Sequence, residues 1–232
     1  MTDALAIRDM SSGYGEAIVL RNLSLVVAQR DIVAVLGKNG MGKSTLLKSI
    51  MGYLPKAGGS VVLDGRDVTN VPPYRMARRG VSYVAQEKAL FQDLTVEENI
   101  RLALSRGSDR AQAMATVERC FPFLLERLRQ QAGTLSGGEQ KMLLVARALA
   151  VRARLLLIDE ITEGLQPSVV TTLAQVIRDE RTRYGTTILL IEQNIGFALE
   201  VADQYAVLDR GEIVDGGPTA GATRRVTGYL SV

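Results

Sequence analysis

Residues Gly37-Lys38-Asn39-Gly40-Met41-Gly42-Lys43-Ser44 follow directly on the β-branched run Ile32–Leu36 and lead into a segment, 44–52, that reads as a helix. Few sequence features constrain a fold as tightly. The glycines let successive backbone N–H groups turn toward one point with no Cβ in the way. The dipole of the following helix converges on the same point and favours an anion by about 0.3–1 kcal/mol per charge. The spacing is that of a G-x-x-x-x-G-K-[ST] phosphate loop. In that reading Lys43 brings a positive charge to the β- and γ-phosphates of ATP, and Ser44 offers its hydroxyl to Mg²⁺. Thr45 completes the nucleotide-contacting stretch.

Two further apolar runs have the length of strands. Leu155–Ile158 stops at Asp159 and Glu160, and Thr186–Ile191 stops at Glu192, Gln193 and Asn194. Strands apolar at every position suit a parallel sheet covered by helices on both faces. In such sheets ligands gather at the carboxyl ends of the strands, where these polar residues lie. Asp159 is thereby a candidate ligand for Mg²⁺, a hard cation that prefers oxygen. Glu160 is the candidate group to orient or deprotonate an attacking water. Two adjacent acids at a strand end also suit an ordinary exposed turn; the phosphate loop favours the site.

Between 90 and 152 the pattern turns helical. Thr95-Val96-Glu97-Glu98 and Ser136-Gly137-Gly138-Glu139 both match the capping box that starts a helix. The segments 18–27 and 60–63 read as strands of an antiparallel edge layer. The expectation is one α/β domain: a core of about 1–89 and 153–232 with a mostly parallel sheet, and a helical subdomain of about 90–152 inserted into it.

Composition narrows the class further. The chain has 232 residues, 47% of them hydrophobic, and no apolar stretch near the roughly 18 residues of a membrane span. The first ten residues carry acids and no apolar core, unlike a secretory signal. One cysteine, Cys120, rules out an internal disulfide framework and fits a reducing compartment. The net charge is +3, and Arg75, Arg78 and Arg79 form the densest basic cluster. Anionic lipid or nucleic acid can bind such a cluster, but a solvated helix face is the simpler account. Aromatic residues are not interleaved with it, so no nucleic-acid partner is expected.

Leu135-Ser136-Gly137-Gly138-Glu139-Gln140 carries more specific information. Capping explains Ser136 and Glu139 but not the paired glycines, which cost helix propensity while exposing backbone N–H groups. The segment resembles the signature of ABC-type ATPases, which likewise lies shortly before the strand bearing the acidic pair. The resemblance implies a P-loop NTPase core and a site closed by two chains: Ser136, Gly137 and Gly138 would meet the γ-phosphate held by the opposite subunit. It assigns Tyr14, in Ser12–Gly15, to stacking on adenine, and Gln86 to sensing Mg²⁺ and the water. Residues 91–99 would face membrane subunits.

Glu163–Ser168 and Ile191–Asn194 most resemble the importers of branched-chain amino acids and of urea or short amides. Such a subunit lies on the cytoplasmic face of the inner membrane. It works with a second ATPase, two membrane permeases and, indirectly, an external solute-binding protein. Gln193 stands where most ABC ATPases have histidine, and the chain contains no histidine at all. A carboxamide can donate to a γ-phosphate but cannot become cationic near neutral pH. Gln193 and Lys43 therefore join Glu160 as candidate catalytic residues. Ile161 replaces a usual proline and Gln166 a common aspartate. The alternatives are an exporter subunit, or an ABC ATPase acting on nucleic acid or the ribosome; the latter usually carries coiled-coil insertions or two cassettes, and this chain has neither.

Overall fold

A computed structural model describes residues 2–86, 90–104 and 109–230. The chain opens with a long hairpin, β1 (Asp3–Tyr14) and β2 (Ala17–Ala28). It then enters β3 (Ile32–Leu36) and, through the glycine-rich turn, α1 (Lys43–Ile50). Next come β4 (Lys56–Leu63), β5 (Arg66–Asp67), α2 (Pro73–Arg78) and β6 (Val81–Val84). A run of helices follows: α3 (Val96–Ala103), α4 (Arg110–Cys120), α5 (Phe123–Glu126) and α6 (Gly137–Ala150). The chain then alternates β7 (Leu155–Asp159), α7 (Pro167–Tyr184), β8 (Thr187–Glu192) and α8 (Ile195–Val201). It closes with β9 (Gln204–Asp209), β10 (Glu212–Pro218) and α9 (Thr223–Leu230).

The strands form two sheets. One is antiparallel, in the order β2-β1-β4-β5; the other runs β10-β9-β3-β8-β7-β6 and is parallel except for the β9–β10 pair. This is the α/β, mostly parallel architecture with an antiparallel edge layer that the sequence predicts. The reason the apolar runs are continuous is visible in the packing. Alternate residues of β3 serve opposite cores, Ile32, Ala34 and Leu36 facing the helices and Val33 and Val35 facing α1 and the antiparallel sheet. β8 divides in the same way, with Ile188 and Leu190 on one side and Leu189 and Ile191 on the other. Helix α1 is thus wedged between two sheets, with Leu46, Leu47 and Ile50 fully buried.

Both capping boxes form: the Thr95 and Ser136 side chains accept from the backbones of Glu98 and Glu139, whose carboxylates reach back. Strand β1 was not anticipated from the sequence. Its register slips between Ile7 and Met10 and again before Ser12, and Asp9 has a φ of 47°, so alternation is broken where it would be recognised. The strand expected at 60–63 is longer at its start, and the helix after the glycine turn ends at Ile50, two residues early. The subdomain boundary expected at residue 89 lies outside the described residues. Cys120 is half-buried at the end of α4, where burial pushes its thiol pKa up.

Candidate functional site

Four neighbouring parallel strands deliver the candidate residues to one edge. Register pairs Leu36 with Glu192, Asp159 with Ile191 and Val84 with Ile158, so the carboxyl ends of β3, β8, β7 and β6 lie flush. From these ends extend the glycine loop, Gln193, Asp159 with Glu160, and Gln86.

The loop needs its glycines for identifiable reasons. A Cβ on Gly37 would lie 2.5 Å from the Leu208 carbonyl oxygen of β9. Gly40 and Gly42 have φ values of 80° and 101°, in the left-handed region that side chains disfavour. Met41 is held from the other side, its carbonyl accepting from the Gly211 N–H at 3.1 Å. Lys43, 4% exposed, donates to the Lys38 carbonyl oxygen at 2.9 Å and pairs with Glu160 Oε1 at 2.9 Å. Thr45 is buried just behind it.

Asp159 is oriented on both oxygens, Oδ1 accepting from Ser44 Oγ at 3.0 Å and Oδ2 from the Tyr83 hydroxyl at 2.9 Å. Burial pushes its carboxyl pKa up, against the two hydrogen bonds that pull it down. Glu160 occupies a left-handed backbone position, with a φ of 47°, rare for a residue with a Cβ. Its Oε2 accepts from Gln86 Nε2 at 2.8 Å and its Oε1 from Gln193 Nε2 at 3.3 Å; Gln193 also donates to Asn39 in the loop. Beside Glu160 is a cavity of about 150 Å³, lined also by Thr162, Glu163, Glu192, Gln193 and Asn194. It is large enough for water molecules.

Lys38, Asn39, Lys43, Ser44, Gln86, Asp159, Glu160 and Gln193 are therefore brought together. Ser44, Asp159 and Gln86 supply oxygen donors of the kind Mg²⁺ takes. Among the described residues there is no cluster of three or more His, Cys, Asp or Glu arranged for a metal. That donor set suits Mg²⁺, which usually keeps several waters and phosphate oxygens rather than an all-protein cage. Tyr14 is 49% exposed at the end of β1, its ring free of the loop's hydrogen bonds.

Ser136, Gly137 and Gly138 are not brought to the loop of their own chain. No hydrogen bond links them to residues 37–45 among the described residues. A Cβ added at Gly137 would meet nothing within 4 Å. Among the described residues, nothing in the packing requires that glycine.

Two contributors, Tyr83 and Lys141, escaped sequence reading, and Glu163 was noticed only as part of the segment 163–168, not for its contact with Gln86. Tyr83 reads only as one more strand residue, although its hydroxyl orients Asp159. Lys141, one turn into α6, donates to the carbonyls of Gln86 and Glu160 at 3.3 Å each, tying the helical segment to the site. Glu163 accepts from Gln86 Nε2 at 2.8 Å. No local signal marks any of them, since each partner is distant in sequence.

A phosphate loop at the end of a central parallel strand, with an acidic pair two strands away, defines a P-loop nucleotide-binding ATPase. The profile of the ABC transporter family matches residues 20–163. The chain belongs to that family, whose members are ATPases coupled to transport. A relative, the high-affinity branched-chain amino acid transport ATP-binding protein BraG of Pseudomonas aeruginosa, is 38% identical over 212 residues, 90% of this chain and 91% of its own. The probable branched-chain amino acid transport ATP-binding protein LivF of Archaeoglobus fulgidus is 38% identical over 213 residues, 90% of this chain and 89% of its own. A solved ATP-binding subunit of an ABC transporter is similar with a TM-score of 0.83 and 27% identity, covering 99% of this chain and 95% of that one.

Proposed function

We propose that this chain powers an importer of branched-chain amino acids or of urea and short amides, on the cytoplasmic face of the inner membrane. The phosphates of ATP lie on residues 37–45, with Tyr14 against the adenine. Ser44 and Asp159 would hold Mg²⁺, and Gln86 would offer a further oxygen donor. When bound, the metal neutralises charge on the transferring phosphate. Glu160 takes a proton from water in the adjoining cavity, and Gln193 donates to the γ-phosphate. Lys43 leaves Glu160 for the phosphate, which frees the carboxylate to act as base.

The observation that carries the reading is the Lys43–Glu160 pair at 2.9 Å, set between the loop and Gln193. The open side of Gly137 supports a second ATPase subunit, because only a facing chain gives that exposed helix start a phosphate to meet. A groove of about 720 Å³ lined by Tyr53, Tyr83, Phe91 and Leu102 supports a permease contact. Tyr53, Phe91 and Leu102 are each 57% exposed, an apolar patch that suits a partner helix. The relatives named for branched-chain amino acid transport support the solute class, and two permeases with an external binding protein follow from that class.

Glu160→Gln tests the catalytic assignment. Hydrolysis should fall by roughly 10²–10⁴-fold with ATP affinity retained. Hydrolysis at the parent rate would remove Glu160 from the mechanism. Uptake of labelled leucine or urea by vesicles holding the assembled transporter tests the solute class; uptake of neither would discard it.

A further inference from the structure

The basic cluster of α2 gains company from distant parts of the chain. Arg78 and Arg79 meet Arg66 of β5, and Arg152 and Arg154 from the turn before β7, around a groove of about 530 Å³. Its lining holds those five arginines against one carboxylate, Asp64, whereas the whole chain balances 28 basic residues with 25 acidic ones. Asp64 reaches Arg154 at 3.8 Å, and no other described carboxylate comes within 4 Å of the five. All five side chains are exposed.

The groove is built rather than incidental. The Gly80 carbonyl accepts from the Arg154 N–H at 2.8 Å and from the Leu155 N–H at 3.2 Å, pinning the end of α2 to the start of β7. Contrary to the expectation from sequence, an aromatic ring does accompany the cluster: Arg75 and Arg78 lie over the Tyr74 ring at 5.7 and 5.8 Å from its centroid, and Arg152 lies over that of Tyr184 at 4.2 Å. Contact with a ring face restrains each guanidinium, which has five N–H donors; Arg152 directs one to the Tyr184 hydroxyl at 3.4 Å, leaving others for an anion. Like charges gathered with one counter-charge repel, and a multivalent anion relieves that. The planar fork of arginine fits phosphate bidentately.

Position selects the source of phosphate. The groove lies at the amino-terminal ends of β6 and β7, opposite the nucleotide edge, and shares Arg78 and Gly80 with the apolar groove of Tyr53 and Phe91. Resting on the reading of that apolar groove as a permease contact, we propose that Arg66, Arg78, Arg79, Arg152 and Arg154 bind the phosphate headgroups of anionic lipid beside the permease.

Flotation of the full chain with phosphatidylglycerol–phosphatidylcholine vesicles tests this without any permease. Binding should be lost on pure phosphatidylcholine and weaken as salt is raised. Arg66→Gln and Arg79→Gln remove two side chains with no ion pair among the described residues. Each should weaken binding about fivefold, and the pair about 25-fold, with ATP hydrolysis unchanged. Absent binding, equal binding to neutral vesicles, or binding indifferent to both variants would overturn the proposal. Sodium tripolyphosphate, titrated with ADP saturating the phosphate loop, is the second arm. Arginine-dependent binding of tripolyphosphate without vesicle binding would make the ligand a soluble anion and end the lipid assignment. Lipid binding that persists while purified permeases fail to associate would sink the permease contact alone and leave this site standing.

Discussion

The Tyr83 hydroxyl donates to Asp159 Oδ2 at 2.9 Å, while Ser44 donates to Oδ1 at 3.0 Å. The carboxylate is 1% exposed, so its plane is set before any metal arrives. Burial and the neighbouring Asp159 push the Tyr83 phenol pKa far up, so the hydroxyl stays a donor at any working pH. The Tyr83 ring also lines the apolar groove and lies 6.3 Å from that of Tyr53. One residue thus touches both the carboxylate proposed to hold Mg²⁺ and the surface proposed for the permease.

Tyr83→Phe removes the donor and keeps the ring. A hydrogen bond to a charged group contributes about 1.5–3 kcal/mol, so the Mg²⁺ needed for half-maximal hydrolysis should rise roughly tenfold or more. Mn²⁺ binding followed by electron paramagnetic resonance should shift in parallel. An unchanged metal requirement would show that Ser44 alone positions Asp159.

The buried Lys43–Glu160 pair makes a stability prediction for the nucleotide-free chain. Lys43→Ala leaves a carboxylate that is 6% exposed and that, among the described residues, has only the Gln86 and Gln193 side chains as donors. Breaking a buried pair from one side costs about 3 kcal/mol or more. Adding Glu160→Gln to Lys43→Ala should restore much of the loss. Urea unfolding of the four chains in the cycle measures the coupling; simple additivity would mean the pair contributes nothing.

Gly137→Glu separates packing from function. The added side chain meets open space, and an acid in the first turn of α6 favours the helix. Thermal stability should hold or rise by up to about 1 kcal/mol. Hydrolysis should nevertheless drop about 100-fold or more, as when a donor to transition-state charge is removed. A variant that stays active would exclude this helix start from the partner's phosphate.

Glu180 supplies a pH prediction away from the site. It is 2% exposed, accepts from Thr186 Oγ1 at 3.0 Å and pairs with Arg119 at 3.4 Å. Burial outweighs these and pushes its carboxyl pKa above the ordinary 4.5. The folded state therefore holds this proton at pH values where the unfolded chain has released it. The resulting stability is complete below pH 4.5 and lost as pH rises through the folded pKa, at up to about 1.4 kcal/mol per pH unit. Glu180→Gln should flatten that part of the stability profile, measured by urea midpoints across pH 4.5–7. An unaltered slope would assign the proton elsewhere.

Much of the site is legible before folding is considered, because the relevant physics is local. The phosphate loop uses consecutive backbone amides, so its chemistry is written in consecutive residues. The capping boxes span four positions, and Asp159, Glu160 and Gln193 each end an apolar run. The roles of Tyr83 and Lys141, and the contact of Glu163 with Gln86, were not legible, because they depend on partners brought from elsewhere in the chain. Strand β1 was missed because its bulges disrupt the two-residue period on which recognition depends.

A phosphate loop, buried parallel strands and an acidic pair are each specified by neighbours along the chain and can be read without the fold. That Glu160 meets Lys43, that Tyr83 meets Asp159, and that five arginines from three regions share one groove emerges only when the chain is folded. Those relationships follow from strand register and sheet order, which bring Glu160 to Lys43 and Asp159 to Tyr83 from far along the chain. No local pattern encodes such distances.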